Sequence, residues 1–194
     1  MQIKRLFSTA DVKGTENYLN TQKKYEIMRT LIYFGISAAL FVAGYLQTKS
    51  RINLLTVVAV LGCLPASKSA VNAIMFLRYK SCTPESAEQI KSHSEGFQVL
   101  FDCVFTSYKS NFRVSHLAVK GNTICGFSED ADFQEKDFYK HIGDILKLDG
   151  HKDATVKIFV SLPKYLERLE QMKMLADEGP RTQAVLETLK SVML

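Results

Sequence analysis

Two uncharged runs stand side by side near the start of the chain and limit its fold more than any other feature. Thr30–Thr48 (TLIYFGISAALFVAGYLQT) is 19 residues long, and Ile52–Ser67 (INLLTVVAVLGCLPAS) is 16. Only Lys49 and Arg51 carry charge between them. A helix needs roughly 20 apolar residues, and at least about 17, to cross about 30 Å of hydrocarbon. The first run meets that length. The second is short and contains Pro65, but continued through Lys68 to Leu77 it is long enough, because a lysine stem can extend until its ammonium reaches the interface. The pair reads as a transmembrane hairpin over residues 30–80, bent near Pro65, with Ser67–Tyr79 running along the surface as a juxtamembrane helix. Two buried helices of a soluble protein are the competing reading. The short polar turn and the basic flanks favour the membrane. A cleaved signal peptide fits poorly, because a second apolar run follows the first at once.

Charge divides the same way. Residues 1–80 carry 11 Lys/Arg against 3 Asp/Glu, so +8, and residues 81–194 carry 14 against 17, so −3. Lys23, Lys24 and Arg29 precede the first run, and Lys68, Arg78 and Lys80 accompany or follow the second. The turn offers only Lys49 and Arg51, so the count near the helix ends places both flanks on the cytoplasmic side. The expected location is a bacterial inner (cell) membrane, crossed twice, with the N-terminus and the C-terminal domain in the cytoplasm. Tyr25, Tyr45 and Tyr79 stand where interfacial aromatics belong. Small residues recur every four positions, at Gly35, Ala39 and Ala43 on the first helix and at Gly62, Ala66 and Ala70 on the second. Such ridges let two backbones approach closely, either within one hairpin or between copies of the chain. Residues 1–29 read as an N-terminal cytosolic segment, with Thr15 capping a helix that starts at Glu16 and joins the first membrane helix.

Beyond the hairpin, residues 83–194 read as a cytosolic α/β domain. Thr83-Pro84-Glu85 starts a helix that stops at Gly96. FQVLFDCVFTSY (97–108), FRVSHLAV (112–119) and TICGF (123–127) are strands separated by polar turns. Asp132 is the expected cap of a helix to about Lys147, ATVKIFVSL (154–162) is a strand, and Leu166–Leu175 and Thr182–Met193 are helices. The fold class is α+β, a two-helix hairpin followed by an α-β-β-β-α-β-α domain that ends in one more short helix. Phe101, Val104, Phe105, Ile142, Leu146, Ile158 and Val160 are its expected core. A hydrophobic fraction of 46% excludes disorder, and 4 Cys exclude a disulfide-rich scaffold.

This order of elements resembles the core of the restriction-endonuclease-like nucleases. That family needs an acid on the second strand and Glu/Asp-x-Lys on the third, to hold a divalent cation beside a polarising lysine. Here Phe112–Val119 has no acid, Thr123–Phe127 has neither carboxylate nor lysine, and Asp102 on the first strand stands apart. The order therefore brings no catalytic residue with it. The acidic balance of residues 81–194 also disfavours a nucleic-acid partner.

The remaining candidates each have a structural explanation beside the chemical one. His116 sits in an alternating strand, where a hydrogen-bonded, half-buried imidazole is common. His141 shares a helix face with Asp144 at i, i+3 but lacks a third ligand, and no His or Cys spacing matches a zinc site. Lys68 is an ionisable group at membrane depth, which points to function unless it snorkels. Cys103 and Cys125 read as small core residues. No cofactor, metal or catalytic set emerges. The stretch TVVAVLGCLPASKSAVNAIMF (56–76) with Arg78-Tyr79-Lys80 resembles small two-helix membrane proteins of Gram-positive, Clostridia-like bacteria. That group has no established activity, so the resemblance implies location and topology. The expectation is a membrane-anchored binding or scaffolding protein whose partners are the bilayer, an unknown protein and itself through the membrane helices. The alternatives are a tethered enzyme or degenerate nuclease-like domain, and a homo-oligomeric pore.

Overall fold

A computed structural model describes residues 12–175 and 179–194. The part of the N-terminal segment before Val12 lies outside the described residues. The chain divides into two compact units, one containing residues 19–80 and the other residues 12–18 and 81–194.

The first unit is an antiparallel pair of long helices, α1 (Tyr18–Thr48) and α2 (Leu54–Leu77). At about 1.5 Å per residue the 24 residues of α2 extend about 36 Å, enough for a bilayer core. Both helices are long and apolar enough to cross a membrane, with mean hydropathies of 1.7 and 1.8 over their most apolar stretches. Only 11% and 17% of those stretches are buried, far less than a soluble core helix buries. Asn53 caps α2, its Oδ1 accepting the Thr56 N–H at 2.8 Å while its Nδ2 donates to Thr48 Oγ1 and the Ser50 carbonyl.

Three contacts fix the register of this pair. The Thr30 hydroxyl donates to Ser69 Oγ at 3.0 Å. A Cβ added to Gly62 would lie 2.7 Å from Ser37 Oγ, and one added to Gly44 would lie 2.6 Å from Asn53 Oδ1 and 2.8 Å from Leu55 Cβ. These positions are seven residues apart on both helices. Ala59, Ala66 and Ala73 alternate with Gly62, Ser69 and Phe76 to complete the seam on α2, all of them buried except half-buried Gly62. The seam within the hairpin does not follow the two four-residue ridges. Gly62 and Ala66 lie in the seam and Ala70 beside it, but Gly35, Ala39 and Ala43 are exposed on the other side of α1. Antiparallel helices meet along a repeat near 3.5 residues, whereas a strict four-residue spacing turns about 40° further from the seam at each step.

Two expectations are corrected in this unit. α2 runs through Pro65 to Leu77, so Ser67–Tyr79 is not a separate surface helix but the last turns of α2 and the exit from it. α1 begins at Tyr18 rather than beside Glu16, because Asn17 takes a left-handed conformation (φ 56) and the Thr15 hydroxyl donates back to the Val12 carbonyl.

The second unit has a four-stranded sheet in the order β1 (Gln98–Thr106), β2 (Asn111–Lys120), β3 (Thr123–Phe127), β4 (Thr155–Phe159). The first three strands form an antiparallel meander, and β4 lies parallel to β3. The crossover between them is α4 (Glu135–Leu148); α3 (Pro84–His93) precedes the sheet, and α5 (Leu162–Lys173) and α6 (Gly179–Val192) follow it. This is the α+β order read from the sequence. One face packs Phe105, Phe112, Val114, Leu117 and Ile124 against Phe138, Ile142 and Leu146 of α4 and Val185, Leu186 and Leu189 of α6. The opposite face packs Ala118, Cys125 and Phe127 against Ile90 of α3 and Tyr165, Leu169 and Met172 of α5. Gly126 is required here, since a Cβ would meet Ile158 Cδ1 at 2.6 Å and Leu117 Cδ2 at 2.7 Å.

Val160 is the one expected core residue found outside, 48% exposed, because β4 ends at Phe159 and Leu162-Pro163 opens α5. Gly179-Pro180 likewise starts α6, where proline at the beginning of a helix loses no hydrogen bond. Gln134, not Asp132, immediately precedes α4, and its side chain makes no capping bond.

Both sheet edges are partly covered. On β1, Gly14 accepts the Phe101 N–H at 2.8 Å, and Leu194 N donates to the Val104 carbonyl at 2.9 Å. On β4, the Tyr139 hydroxyl accepts the outward Ile158 N–H at 3.0 Å. An edge satisfied in this way offers a poor template for another strand.

Candidate functional site

The site begins with a break in strand alternation. Asp102 sits in mid-strand with φ 54, a left-handed conformation that Asp tolerates better than most residues. Leu100 and Cys103, three apart, consequently face the same core, as do Val114 and Leu117 across from them on β2. The phase change turns His116 towards α5. It also leaves the Asp102 side chain buried, with Oδ1 accepting the Cys82 N–H at 2.7 Å.

Next to this break lies an open cleft of about 500 Å³ between the start of β2 and the loop after β3, lined by Asn111, Phe112, Arg113, Glu129, Asp130 and Asp132 among others. Ser128 shapes the loop, its hydroxyl donating to the Arg113 carbonyl at 2.7 Å and accepting the Asp130 N–H at 3.2 Å. Arg113 is the cleft's cation. Its NH2 lies 2.6 Å from Asp130 Oδ1 and its NH1 lies 3.6 Å from Glu129 Oε2. Burial opposes the guanidinium charge, but the Asp130 hydrogen bond and the charges of Asp130 and Glu129 outweigh it and hold the group above its ordinary value.

Glu129 also faces the start of α3, where Oε1 accepts from Thr83 N at 3.0 Å and from Thr83 Oγ1 at 2.7 Å. A carboxylate there satisfies backbone donors that the helix leaves open and complements its dipole. Cys82 Sγ stands 3.8 Å from the same oxygen. Burial, with Glu129 and Asp102 adding to it, pushes this thiol up to about 12, so it stays protonated at neutral pH. Burial also raises the Cys103 and Cys125 thiols.

The structure does not bring the sequence candidates together. His116 lies on the α5 side, fully buried rather than half-buried, with Nδ1 2.6 Å from Tyr165 Oη and its ring edge-on to Phe101 at 4.4 Å. Its Nε2 has no hydrogen-bond partner among the described residues. His141 stacks on Phe112 at 6.2 Å and lines a separate hollow of about 300 Å³ with Asp144, Asp137, Lys140 and Tyr108. Lys68 is exposed on α2, in the other unit. Among the described residues no group of three or more His, Cys, Asp or Glu is placed to hold a metal ion. Neither β2 nor β3 carries an acid at the positions a nuclease would need.

Sequence reasoning missed Arg113, Glu129 and Asp130 as a set, and Tyr165 as the partner of His116. A signal for the first existed, since a lone arginine in an apolar strand stands against the acidic run Ser128–Asp132. No protein-family model, no curated protein and no solved structure matches this chain.

The buried imidazole gives the α/β unit a pH dependence. Desolvation lowers the His116 pKa from 6.5 to about 3. The folded state therefore binds fewer protons than the unfolded state between those values, and stability falls as pH drops through that window. From pH 7 to pH 4.5 the loss due to this group is roughly 2–3 kcal/mol. Urea unfolding of the full chain should show that slope, and His116→Phe should flatten it by that amount. An identical slope in the variant would mean that His116 is not buried neutral.

Proposed function

We propose that this chain is a two-pass protein of a bacterial inner membrane, with its N-terminus and α/β domain in the cytoplasm, and that the domain is a binding or scaffolding module held at the bilayer surface. The reading includes kinship with the small two-helix membrane proteins of Gram-positive bacteria that residues 56–80 resemble. Two apolar helices with so little of their apolar stretches buried support the anchor.

The observation that carries the binding role is the pairing of charged groups in an open cleft. Arg113 is committed to Asp130 and Glu129, Glu129 to the start of α3, and Cys82 is held as a thiol. These pairs hold the side chains in place, the cleft is open, and its rim adds Asp132, Asn111 and Ser110. A surface of that kind suits a polar segment with some positive charge.

The test is a photo-crosslinking residue at exposed Asn111 in the full-length protein, expressed in its host. A discrete adduct is expected, and Asp132→Lys, which alters the rim without touching the Arg113 pair, should reduce it at least fivefold. An adduct indifferent to Asp132→Lys would remove the cleft as the binding surface.

A further inference from the structure

We propose that the end of the hairpin opposite its turn is a collar for anionic phospholipid headgroups, with its best-formed seat at Lys24. This rests on the membrane reading above and adds the class of lipid.

The antiparallel register gathers the cations. Thr30 bonded to Ser69 fixes which parts of α1 and α2 lie level, so Lys23, Lys24 and Arg29 share one end of the unit with Lys68, Arg78 and Lys80. The turn end has only Lys49 and Arg51. Among the described residues of this unit one acid opposes the collar, Glu26, and it is 3% exposed. Its Oε1 accepts from Gln22 Nε2 at 3.0 Å and from Arg29 NH1 at 2.9 Å. Glu26 is paired with Arg29 at 2.9 Å and turned away from solvent, so it does not neutralise the exposed lysines. Lys24 and Lys68 are exposed there.

The second observation is a shaped one. Thr21, Lys24, Tyr25 and Met28 follow i, i+3, i+4, i+7 and line a crevice of about 290 Å³ on one face of α1. Its floor is the apolar body of Tyr25 and Met28, and its cation is Lys24. A phosphodiester with acyl chains matches both parts, with the phosphate on the ammonium and a chain segment on the floor. A free phosphate matches only the first. An anionic headgroup outcompetes a zwitterionic one because the latter carries its own ammonium against the collar. Each juxtamembrane cation favours an anionic surface by about fivefold.

The experiment uses the full-length protein, equilibrated in mixed micelles with equal amounts of phosphatidylglycerol and phosphatidylcholine, and counts the lipids retained by native mass spectrometry. Phosphatidylglycerol should be retained about tenfold or more over phosphatidylcholine. The double variant Lys24→Gln/Lys68→Gln should lose most of that preference, while Lys49→Gln/Arg51→Gln at the turn end should keep it. Equal retention of the two lipids, a preference untouched by the collar variant, or displacement of the lipid by millimolar inorganic phosphate would each overturn the proposal. Carbonate extraction of native membranes separates the two failures: protein released by carbonate sinks the membrane reading itself, whereas protein that stays but does not discriminate between lipids sinks only the collar.

Discussion

Phe105→Ala lowers the stability of the α/β unit by about 3–5 kcal/mol, a large share of the roughly 5–15 kcal/mol that holds a domain of this size together. Phe105 is 0% exposed, faces Phe112 across the β1–β2 ladder and meets Phe138 of α4 edge-on at 5.7 Å. Phe138 in turn packs on Phe112 at 5.4 Å and on Phe133 at 5.3 Å. Truncation removes one ring from a four-ring cluster whose other members are fixed by a strand, a helix and a loop, so the cavity cannot collapse cheaply. Val160→Ala is the control, since Val160 is 48% exposed and its loss costs under about 0.5 kcal/mol. Urea unfolding of the full chain in detergent, followed by circular dichroism, reads the difference. Equal midpoints for the two variants would show that the aromatic cluster is not the core.

The full chain matters for that measurement. A fragment beginning at residue 83 lacks Gly14, whose carbonyl takes the Phe101 N–H, and Lys13, whose Nζ donates to the Met193 carbonyl at 2.8 Å. Residues 12–18, part of the N-terminal segment in sequence, belong to the same compact unit as residues 81–194. Nothing local in Val12–Tyr18 announces this, because a segment that covers a sheet edge does so through its backbone, and backbone hydrogen bonding leaves no side-chain pattern.

Element order was legible for a physical reason. Aromatic and β-branched runs bounded by Gly, Asn and Ser, and apolar positions at helical spacing, report on burial of one face at a time. What they do not report is a change of phase. FRVSHLAV looked like simple alternation, but the left-handed Asp102 opposite Ser115 shifts which residues face α5, and so His116 is fully buried against Tyr165 instead of lying half-exposed. The seam inside the hairpin is hidden in a related way. Counting every fourth small residue reaches Gly62 and Ala66 but drifts off the seam, whereas positions 30, 37 and 44 on α1 are hard to see because Thr, Ser and Gly do not look like one ridge. Their common property is small size at a spacing of seven, and only the partner helix reveals that spacing as the relevant one.

The site was legible in part. The absence of an acid on β2, and of an acid and a lysine on β3, could be read directly. The Arg113–Glu129–Asp130 set could not, because it depends on Ser128 folding the loop back onto β2 through a hydroxyl that serves both Arg113 and Asp130. Such a side-chain-to-backbone bond is a choice among several local conformations open to serine.

An all-or-none labelling pattern is expected for the topology. In a chain whose four cysteines, Cys63, Cys82, Cys103 and Cys125, have been replaced, Ser50→Cys should react with a membrane-impermeant maleimide in intact cells. Lys109→Cys should react only after lysis. Ser50 is exposed in the turn between α1 and α2, and that turn is held mainly by Asn53 bonding to Thr48 Oγ1 and to the Ser50 carbonyl, so a thiol at position 50 leaves it standing. Lys109 is exposed in the β1–β2 turn, which is closed by Ser107 and Ser110 through a 2.9 Å backbone bond. Neither substitution touches a core. The proposed orientation rests on cations: the two ends of the hairpin differ by six Lys/Arg against two, and positive charge near helix ends resists translocation while the acids of a large domain count little. The reverse pattern would place the α/β unit outside the cell. Labelling of neither site before denaturation would mean that the apolar faces of α1 and α2 are buried in protein rather than lipid, and the anchor, the collar and the cytoplasmic module would all have to be abandoned together.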